Sequence, residues 1–211
     1  MLLYAARNVC SLAVCASICM GSLCWPISSS HGNDHLSGVP EFSGTLIKRV
    51  NGKQSRVQVF AKGDWLRLEY TYAIRTELGF AAIEIVRPDI GEIWYVLPQR
   101  KELLVTPLTE DILPIRPELV GETERMAIGD DEIAGRVARL FDVRTERPGR
   151  LERFYEWIDA ETGIVLKLVS QDRDWSFEYA RVRLSPQPTM YFEAPPGYRK
   201  RPSTANQKRV E

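Results

Sequence analysis

The chain has 211 residues, and its 28 basic and 28 acidic side chains give a formal net charge of zero. This balance excludes the excess of positive charge that binding to nucleic acid requires, and the length is enough for one domain with its own core. All four cysteines lie within the first 24 residues and both histidines within the first 35, so the rest of the chain carries neither a thiol nor an imidazole.

Residues 1–30 are typical of a secretory signal peptide. Arg7 is the only charged residue in this stretch, and a mostly apolar core follows from Val9 to Leu23. Small residues at Ser28 and Ser30 suit cleavage just after them. We therefore predict that the protein is exported and that its mature form works in the periplasm.

Two alternatives to a cleaved signal remain open. A retained membrane anchor is one, because about 20 apolar residues can span a bilayer, although Ser, Gly and Pro interrupt this run. Lipidation is the other, but lipoprotein signals carry a small residue before the modified cysteine. Large residues precede the four cysteines here: Val9, Val14, Ile18 and Leu23. Cleavage before His31 leaves no cysteine, which excludes disulfides and thiolate metal sites.

Polar segments flank the predicted domain on both sides. Residues 31–41 are rich in Ser, His, Gly, Asn and Asp and predict a flexible lead-in. Residues 199–211 contain five basic residues and few apolar ones, which predicts a disordered basic tail. Such a tail could contact anionic lipid headgroups or a partner, although a solvated terminus is the simpler interpretation.

Between these flanks the dominant hydrophobic period is two, the pattern of half-buried strands. Val57 and Val59, for example, alternate with Arg56 and Gln58. Asn51-Gly52 predicts a tight hairpin, because Asn and Gly tolerate the positive φ that such a turn needs. The predicted strands include Thr45 to Val50, Ser55 to Ala61, Trp65 to Thr71, Ile83 to Ile85, Ile93 to Leu97, Glu102 to Leu108, Arg136 to Arg144, Arg153 to Asp159, Ile164 to Gln171 and Trp175 to Leu184.

These segments predict a mainly β domain of about ten or eleven strands. The links between successive strands are short, which favours an antiparallel meander, because parallel pairs need long crossovers. No amphipathic helix of twelve residues or more stands out. A short helix or lid is predicted across residues 109–120, where Thr109 could cap a turn and Pro114 would end it.

The domain offers few residues for catalysis. Both histidines, His31 and His35, lie in the lead-in, so neither is a base on a rigid element. The run from Asp130 to Glu132 lacks the alternating ligand spacing of a calcium loop, and no phosphate-binding glycine motif is present. We predict no catalytic, metal-binding or cofactor-binding residue and no enzymatic activity; only carboxylates paired by the fold would change this.

Aromatic residues are concentrated on the predicted strands. They are Trp65, Trp94, Tyr95, Phe154, Tyr155, Trp157, Trp175, Phe177 and Tyr179. The simpler interpretation is a core with cross-strand aromatic pairs. The functional interpretation is a curved sheet that cannot fill its own concave face and keeps a groove for an acyl chain or an apolar peptide.

Several short motifs occur in the order found in a known superfamily. The early ones are Phe42-Ser43-Gly44, the strand Trp65 to Glu69, and Ile93 to Pro98 followed by Lys101. The later ones are Gly129 to Gly135, the hairpin from Trp157 to Lys167, and the closing segment Phe192 to Tyr198. Together they span residues 42–198 and resemble the periplasmic lipoprotein-carrier (LolA/LolB-like) superfamily, especially its outer-membrane lipoprotein-sorting-like members.

The resemblance implies a single antiparallel sheet curved into an incomplete barrel, with short helices closing an apolar cavity that holds acyl chains. Pro114 and Pro117 in the lid segment depart from the carrier pattern. The implied function is a non-enzymatic carrier or sensor that binds lipid or the acyl chains of lipoproteins. The alternative is a protein-interaction module of an envelope complex, without lipid cargo, that uses an open sheet edge or the basic tail.

Alternation along the strands selects the candidate cavity-lining residues, although a slip of one residue in register would invert their facing. They are Leu66, Leu68, Ile83, Ile85, Ile93, Tyr95, Leu166 and Leu168. The expected partners are lipid or an acylated lipoprotein, an envelope protein, and a membrane in transient contact, with no nucleic acid. The protein is expected to be a monomer.

Overall fold

The computed structural model describes residues 40–109, 113–114, 116–171 and 174–204. These residues form twelve strands and three 3₁₀ turns, Pro88–Ile90, Pro98–Arg100 and Thr189–Phe192. The strands are β1 (Phe42–Val50), β2 (Lys53–Lys62), β3 (Trp65–Thr76), β4 (Gly79–Arg87), β5 (Glu92–Leu97), β6 (Glu102–Pro107), β7 (Glu122–Ile133), β8 (Arg136–Arg147), β9 (Arg150–Asp159), β10 (Val165–Ser170), β11 (Trp175–Leu184) and β12 (Arg199–Pro202). Within the described ranges, no helix is long and apolar enough to cross a membrane.

All twelve strands belong to one sheet, in the order β12-β6-β5-β4-β3-β2-β1-β11-β10-β9-β8-β7. Neighbouring strands are antiparallel, except that β12 runs parallel to β6. The sheet does not close into a barrel, so β7 and β12 are its edges. The predicted mainly β, antiparallel and unclosed sheet is therefore confirmed, with twelve strands in place of ten or eleven.

The β1–β2 hairpin forms where the sequence predicts it. Asn51 and Gly52 have φ values of 49° and 71°, which are the positive angles that a two-residue hairpin turn requires. The amide of Asn51 also donates a hydrogen bond of 2.8 Å to the carbonyl of Asp174, which ties this turn to the start of β11. The turn sets the register of the whole hairpin, so that Leu46 pairs with Val57.

Strand β7 is one of the two strands that the hydrophobic pattern did not predict. Residues 123–132 are exposed or half-buried, because β7 is an edge strand and β8 is its only neighbour among the described strands. A strand that is solvated on both faces has no need of alternating apolar residues, so the signal used to find strands is missing from it. Ile133 is the only buried residue of β7.

Strand β12 corrects the first residues of the disordered basic tail predicted over 199–211. Residues 205–211, like the predicted signal peptide and residues 31–39 of the predicted lead-in, lie outside the described residues. Arg199–Pro202 pairs with β6 from Glu102 to Val105. The carboxylate of Glu102 is almost fully buried, and it lies 3.7 Å from Arg199 and 3.3 Å from Arg201. Arg199 and Arg201 therefore lie in the sheet beside a buried carboxylate on the neighbouring strand that compensates them, which composition alone does not reveal.

One face of the sheet, called the inner face below, carries the main hydrophobic core. Residues from both halves of the sheet, including Leu68 on β3, Ile93 on β5, Phe154 on β9 and Phe177 on β11, pack in a single buried cluster. Because strands that are distant within the sheet contribute to one cluster, the sheet curves around this face. The core therefore lies inside the curve, as in an incomplete barrel.

The opposite, outer face of β3–β6 carries a second, smaller core. Ile85, Trp94 and Val96 pack there against Phe192, which is fully buried. The 3₁₀ turn Thr189–Phe192 is held in place by Arg87, whose guanidinium donates to the carbonyl of Phe192 at 3.2 Å. This half of the sheet is therefore covered on both faces, which explains why its strands are apolar at consecutive positions.

The predicted helix or lid across residues 109–120 lies partly outside the described residues, which omit 110–112 and 115. The described remainder of this segment contains no helix. Leu113 and Leu119 pack against the main core, and Arg116 forms an ion pair of 3.0 Å with Asp64 in the β2–β3 turn. The described part of the β6–β7 connection therefore lies against the inner face.

Candidate functional site

A cavity of about 410 Å³ lies on the inner face of β1–β5. Its apolar lining comes from every second residue of these strands and from the β6–β7 connection. These residues are Leu46, Val50, Val57, Leu68, Ile74, Val86, Ile93 and Leu113. A volume of this size is within the usual range for small-ligand sites, roughly 300–1,000 Å³.

The cavity opens toward the β1–β2 and β3–β4 turns. Tyr72 and Val50, which lie close to these turns, line the cavity and are 83% and 39% exposed. Leu46, Leu68 and Ile93, farther along the strands, are almost completely buried. The cavity therefore has an apolar floor and an exposed mouth at one end of the sheet.

A carboxylate and two tyrosines provide the polar chemistry of the cavity wall. The hydroxyl of Tyr70 donates a hydrogen bond of 2.7 Å to Oε2 of Glu84 on the neighbouring strand. Burial raises the pKa of Glu84, and the hydrogen bond from Tyr70 and the charge of Lys48 offset part of that rise. Burial and the nearby Glu84 raise the pKa of Tyr95 to about 12. Both tyrosines are therefore neutral at physiological pH.

Lys48 is the cation of the cavity lining. It lies on β1 between Leu46 and Val50, on the same face of the strand, and is partly exposed. By register Lys48 lies two residues nearer the β1–β2 turn than Leu46. Its charge also reaches Glu84, whose pKa it lowers. A ligand with an apolar tail and a polar or anionic head could therefore place its tail on the floor and its head beside Lys48.

The other half of the inner face has a buried ion pair. Glu156 on β9 is fully buried, and its Oε2 accepts a hydrogen bond of 2.7 Å from Nη1 of Arg125. Arg125 also donates to Glu122 and to the carbonyl of Pro117. The other carboxylate oxygen of Glu156, Oε1, has no hydrogen-bond partner among the described residues. Burial raises the pKa of Glu156 to about 7, although Arg125 opposes the shift.

Three of the eight predicted cavity-lining residues line the cavity, namely Leu68, Ile93 and Tyr95. Three others are buried on the inner face in the same core cluster but do not line the cavity: Leu66, Leu166 and Leu168. Leu166 and Leu168 lie on β10, in the half of the sheet that side chains fill. Alternation correctly predicted that these side chains are buried on the inner face. It could not predict whether the space around them is filled by other side chains or left as a cavity.

Ile83 and Ile85 are placed wrongly by the prediction, because both belong to the core of the outer face. Leu68 on β3 pairs with Glu84, so it is Glu84, and not its apolar neighbours, that faces the cavity. The rule that the apolar residue of an alternating pair faces inward fails here, since the outer face of β4 is covered as well. Cross-strand register decides the facing.

The prediction also missed Leu46, Val57, Lys48, Tyr70 and Glu84. A signal for the first two was present in the sequence. The two-residue turn at Asn51-Gly52 fixes the pairing of Leu46 with Val57, and both are apolar. No comparable signal existed for Tyr70 and Glu84, because the pairing of β3 with β4 contains an irregularity between Glu69 and Ile74 that a sequence pattern does not reveal.

No protein-family model matches this chain, and no curated protein matches its sequence. Among solved structures, the fold is similar to that of MucB, with a TM-score of 0.50 and 16% sequence identity. The likeness covers 74% of this chain and 58% of the MucB chain, so this protein spans little more than half the length of MucB.

Two further solved structures are less similar. The MucA/MucB complex of Pseudomonas aeruginosa gives a TM-score of 0.47 at 18% identity over 73% of this chain and 55% of that chain. A putative outer membrane lipoprotein-sorting protein domain from Vibrio parahaemolyticus gives 0.37 at 10% identity over 74% and 91%. At these identities the likeness is one of fold alone.

Proposed function

We propose that this protein is a non-enzymatic envelope protein that binds one acyl chain, of a lipid or of an acylated lipoprotein, in the cavity on the inner face of β1–β5. The observation that carries the proposal is the composition of the cavity along its length. Its floor is apolar and buried, and its mouth is exposed and bears Lys48. This order matches the order of tail and head in an acyl lipid.

The energetics favour an acyl ligand over a polar one. Each methylene group moved from water into an apolar site contributes about 0.8 kcal/mol, so a chain that covers Leu46, Leu68 and Ile93 gains affinity with its length. A sugar or peptide in the same place would leave polar groups facing these side chains without hydrogen bonds, which is costly. The Tyr70–Glu84 pair would limit how far an apolar tail extends along the β3–β4 wall.

Titration with a fluorescent fatty acid, together with native mass spectrometry of the protein from its own envelope, tests the proposal. We expect saturable one-to-one binding and co-purified lipid. Leu68→Trp should lower the affinity by about tenfold or more, because the larger ring occupies the floor of the cavity. Leu151→Trp is the matched control, since Leu151 is 76% exposed on β9, and it should bind like the unchanged protein.

Absence of bound lipid together with absence of fatty-acid binding would contradict the proposal. So would equal affinities of the Leu68→Trp and Leu151→Trp variants. Thermal unfolding of both variants separates a filled cavity from a misfolded protein, because a folded Leu68→Trp variant keeps a cooperative transition.

A second candidate function, a protein-interaction module, is favoured by the exposed edge strand β7. This strand is 12 residues long and exposes Met126 and Ile128, and in the described part of the chain it pairs with β8 alone. Such an edge can accept an extended segment of a partner as a further strand. Loss of a co-purifying envelope protein in the Ile128→Lys variant, with no lipid bound to either protein, would favour this function over acyl binding.

A further inference from the structure

The β1–β6 half of the sheet has one end that carries the cavity mouth. Because β1 to β6 run alternately up and down, the β1–β2, β3–β4 and β5–β6 turns all lie at the same end of the sheet. The exposed cavity-lining residues Tyr72 and Val50 lie beside these turns. We call this end the mouth end, and the end with the β2–β3 and β4–β5 turns the far end.

Cations are in excess at the mouth end of this half, although the whole chain is neutral. At the mouth end, the described residues include seven cations: Lys48, Arg49, Lys53, Arg75, Arg100, Lys101 and Arg199. Three carboxylates lie there, on Glu77, Glu102 and Asp174. At the far end, four carboxylates are each paired with a cation: Glu41 with Lys62, Asp64 with Arg116, Asp89 with Arg87 and Glu92 with Lys200. The mouth end therefore carries a net positive charge, whereas these far-end carboxylates are compensated.

Much of the positive charge at the mouth end is free to act on a partner. Arg49, Lys53, Arg75 and Lys101 are exposed, and none of them forms an ion pair with another described residue. Arg100 is different, because it lies 3.1 Å from the buried carboxylate of Glu102. The four free cations surround the mouth from three successive turns, so their fields add over this end of the molecule.

Exposed aromatic rings accompany these cations. Phe80, in the β3–β4 hairpin, is 59% exposed, and Tyr72 is 83% exposed. Phe80 pairs directly with Arg75 across the hairpin. Aromatic rings with neighbouring basic side chains favour the interface of a bilayer, where the ring enters the boundary of the acyl region and the cation stays among the headgroups.

We propose that the mouth end docks onto the surface of a bilayer that contains anionic lipids, with its free cations among the headgroups and with Phe80 and Tyr72 in the interface. Docking in this orientation brings the cavity mouth to the membrane. The far end, where the carboxylates are already paired with cations, is then turned away from the membrane. The proposal builds on the acyl-binding cavity, since it names the surface from which the cavity would take its ligand, but docking itself requires no ligand.

Co-sedimentation of the purified protein with vesicles tests the proposal. We expect binding to vesicles of phosphatidylcholine mixed with phosphatidylglycerol, and binding about tenfold weaker or more to vesicles of phosphatidylcholine alone. Added salt should weaken binding to the mixed vesicles, because exposed charges are screened. The variant Arg49→Glu/Lys53→Glu should lose at least about tenfold in affinity for the mixed vesicles. Phe80→Ser should weaken binding severalfold with less dependence on salt.

The matched control is Arg181→Glu/Arg183→Glu, which makes the same change in net charge. Both residues are exposed on β11, in its half that runs toward the far end, and neither forms an ion pair with a described residue. This variant should bind the mixed vesicles like the unchanged protein. Equal losses in the two variants, equal binding to both kinds of vesicle, or no binding to any vesicle would overturn the proposal.

Fatty-acid binding separates this proposal from the proposed function. Arg49, Lys53 and Phe80 do not line the cavity, so their variants should bind a soluble fluorescent fatty acid normally while they lose binding to vesicles. Vesicle binding without fatty-acid binding would leave docking in place and remove the acyl-binding function. Fatty-acid binding without vesicle binding would do the reverse.

Discussion

Glu84 on β4 is a half-buried carboxylate and Glu156 on β9 a fully buried one, and both lie on the inner face of the sheet. The two halves of the molecule compensate them differently. Glu84 accepts a hydrogen bond from a neutral partner, Tyr70, in the wall of an open cavity. Glu156 is fully buried and is paired with Arg125, a cation. In the β1–β6 half, a carboxylate with a neutral partner therefore lies in the wall of a cavity. In the other half, the carboxylate of Glu156 holds the guanidinium of Arg125 in place.

The contacts of Arg125 show what the buried charge of Glu156 does in the second half. Arg125 joins strand β9 to the β6–β7 connection, since it contacts Glu156 on one side and the carbonyl of Pro117 on the other. Its guanidinium also lies 5.1 Å above the ring of Phe141. Phe154 and Phe177 belong to the main core on the same face. The comparison indicates that one half of the inner face uses a buried ion pair to hold the connection, whereas the other half keeps a cavity.

Removal of Arg125 should have the largest effect on stability. Arg125→Ala leaves Glu156 buried without its counter-ion, and breaking a buried pair in this way costs about 3–5 kcal/mol. Chemical denaturation at pH 8 measures the free energy of unfolding. The control is Arg144→Ala: Arg144 pairs with Glu124 at 2.7 Å, but both side chains are more than half exposed, so the loss should be below about 1 kcal/mol. Equal losses of unfolding free energy in Arg125→Ala and Arg144→Ala would show that the buried Arg125–Glu156 pair is no more important for stability than an exposed one.

The titration of Glu156, the carboxylate of the same pair, should make the free energy of unfolding depend on pH, with a smaller effect than the loss of Arg125. Burial raises the pKa of Glu156 to about 7 in the folded protein, above its value in the unfolded chain. The unfolded chain then binds fewer protons than the folded protein at pH 5 to 7, so stability falls as the pH rises through 7. Between pH 5.5 and pH 8 we expect a loss of about 2 kcal/mol.

The variant Glu156→Gln isolates this contribution. It removes the titrating group, so its free energy of unfolding should change less over the same pH interval than that of the unchanged protein. Glu84 also has a raised pKa and contributes in the same direction in both proteins, so the difference between the two proteins belongs to Glu156. Parallel curves for the two proteins would show that Glu156 stays ionised across the interval.

The sequence allowed the fold to be predicted better than the site. Alternation and the Asn51-Gly52 turn are local signals, and they located most strands of an open antiparallel sheet. The facing of Ile83 and Ile85 is not local, because it depends on the pairing of β4 with β3 and on Phe192, more than 100 residues later, which covers the outer face. Likewise, the order of Arg199–Pro202 depends on Glu102, on a strand distant in sequence.

The polar part of the site was beyond prediction for a related reason. Tyr70 and Glu84 have no pattern that marks them as partners, and the irregular pairing after Glu69 removes the register from which their contact could have been inferred. Arg125 lies on an edge strand without apolar alternation, so its contact with Glu156, 31 residues away, was equally hidden. Polar contacts across strands depend on register, whereas apolar burial depends mainly on alternation.

Tyr70→Phe should have the smallest effect of the three changes, and it tests the cavity half directly. The change keeps the ring and removes the hydroxyl that donates to Glu84, so a largely buried carboxylate loses a hydrogen bond, at a cost of about 1–2 kcal/mol. Tyr72→Phe is the matched control, because Tyr72 lies two residues along the same face and is 83% exposed. Its free energy of unfolding should stay within about 0.5 kcal/mol of that of the unchanged protein.

A double-mutant cycle identifies the origin of that cost. In the Glu84→Leu background no carboxylate remains to be left unpaired, so adding Tyr70→Phe should cost less than it does in the unchanged protein, and the coupling energy should be positive. Tyr70→Phe should also raise the pKa of Glu84 further, because the hydrogen bond from Tyr70 lowers it. If the tyrosine change costs the same in both backgrounds, the hydroxyl does not stabilise Glu84. The two halves would then not differ in the way proposed, because Glu84 would gain no stabilisation from its neutral partner.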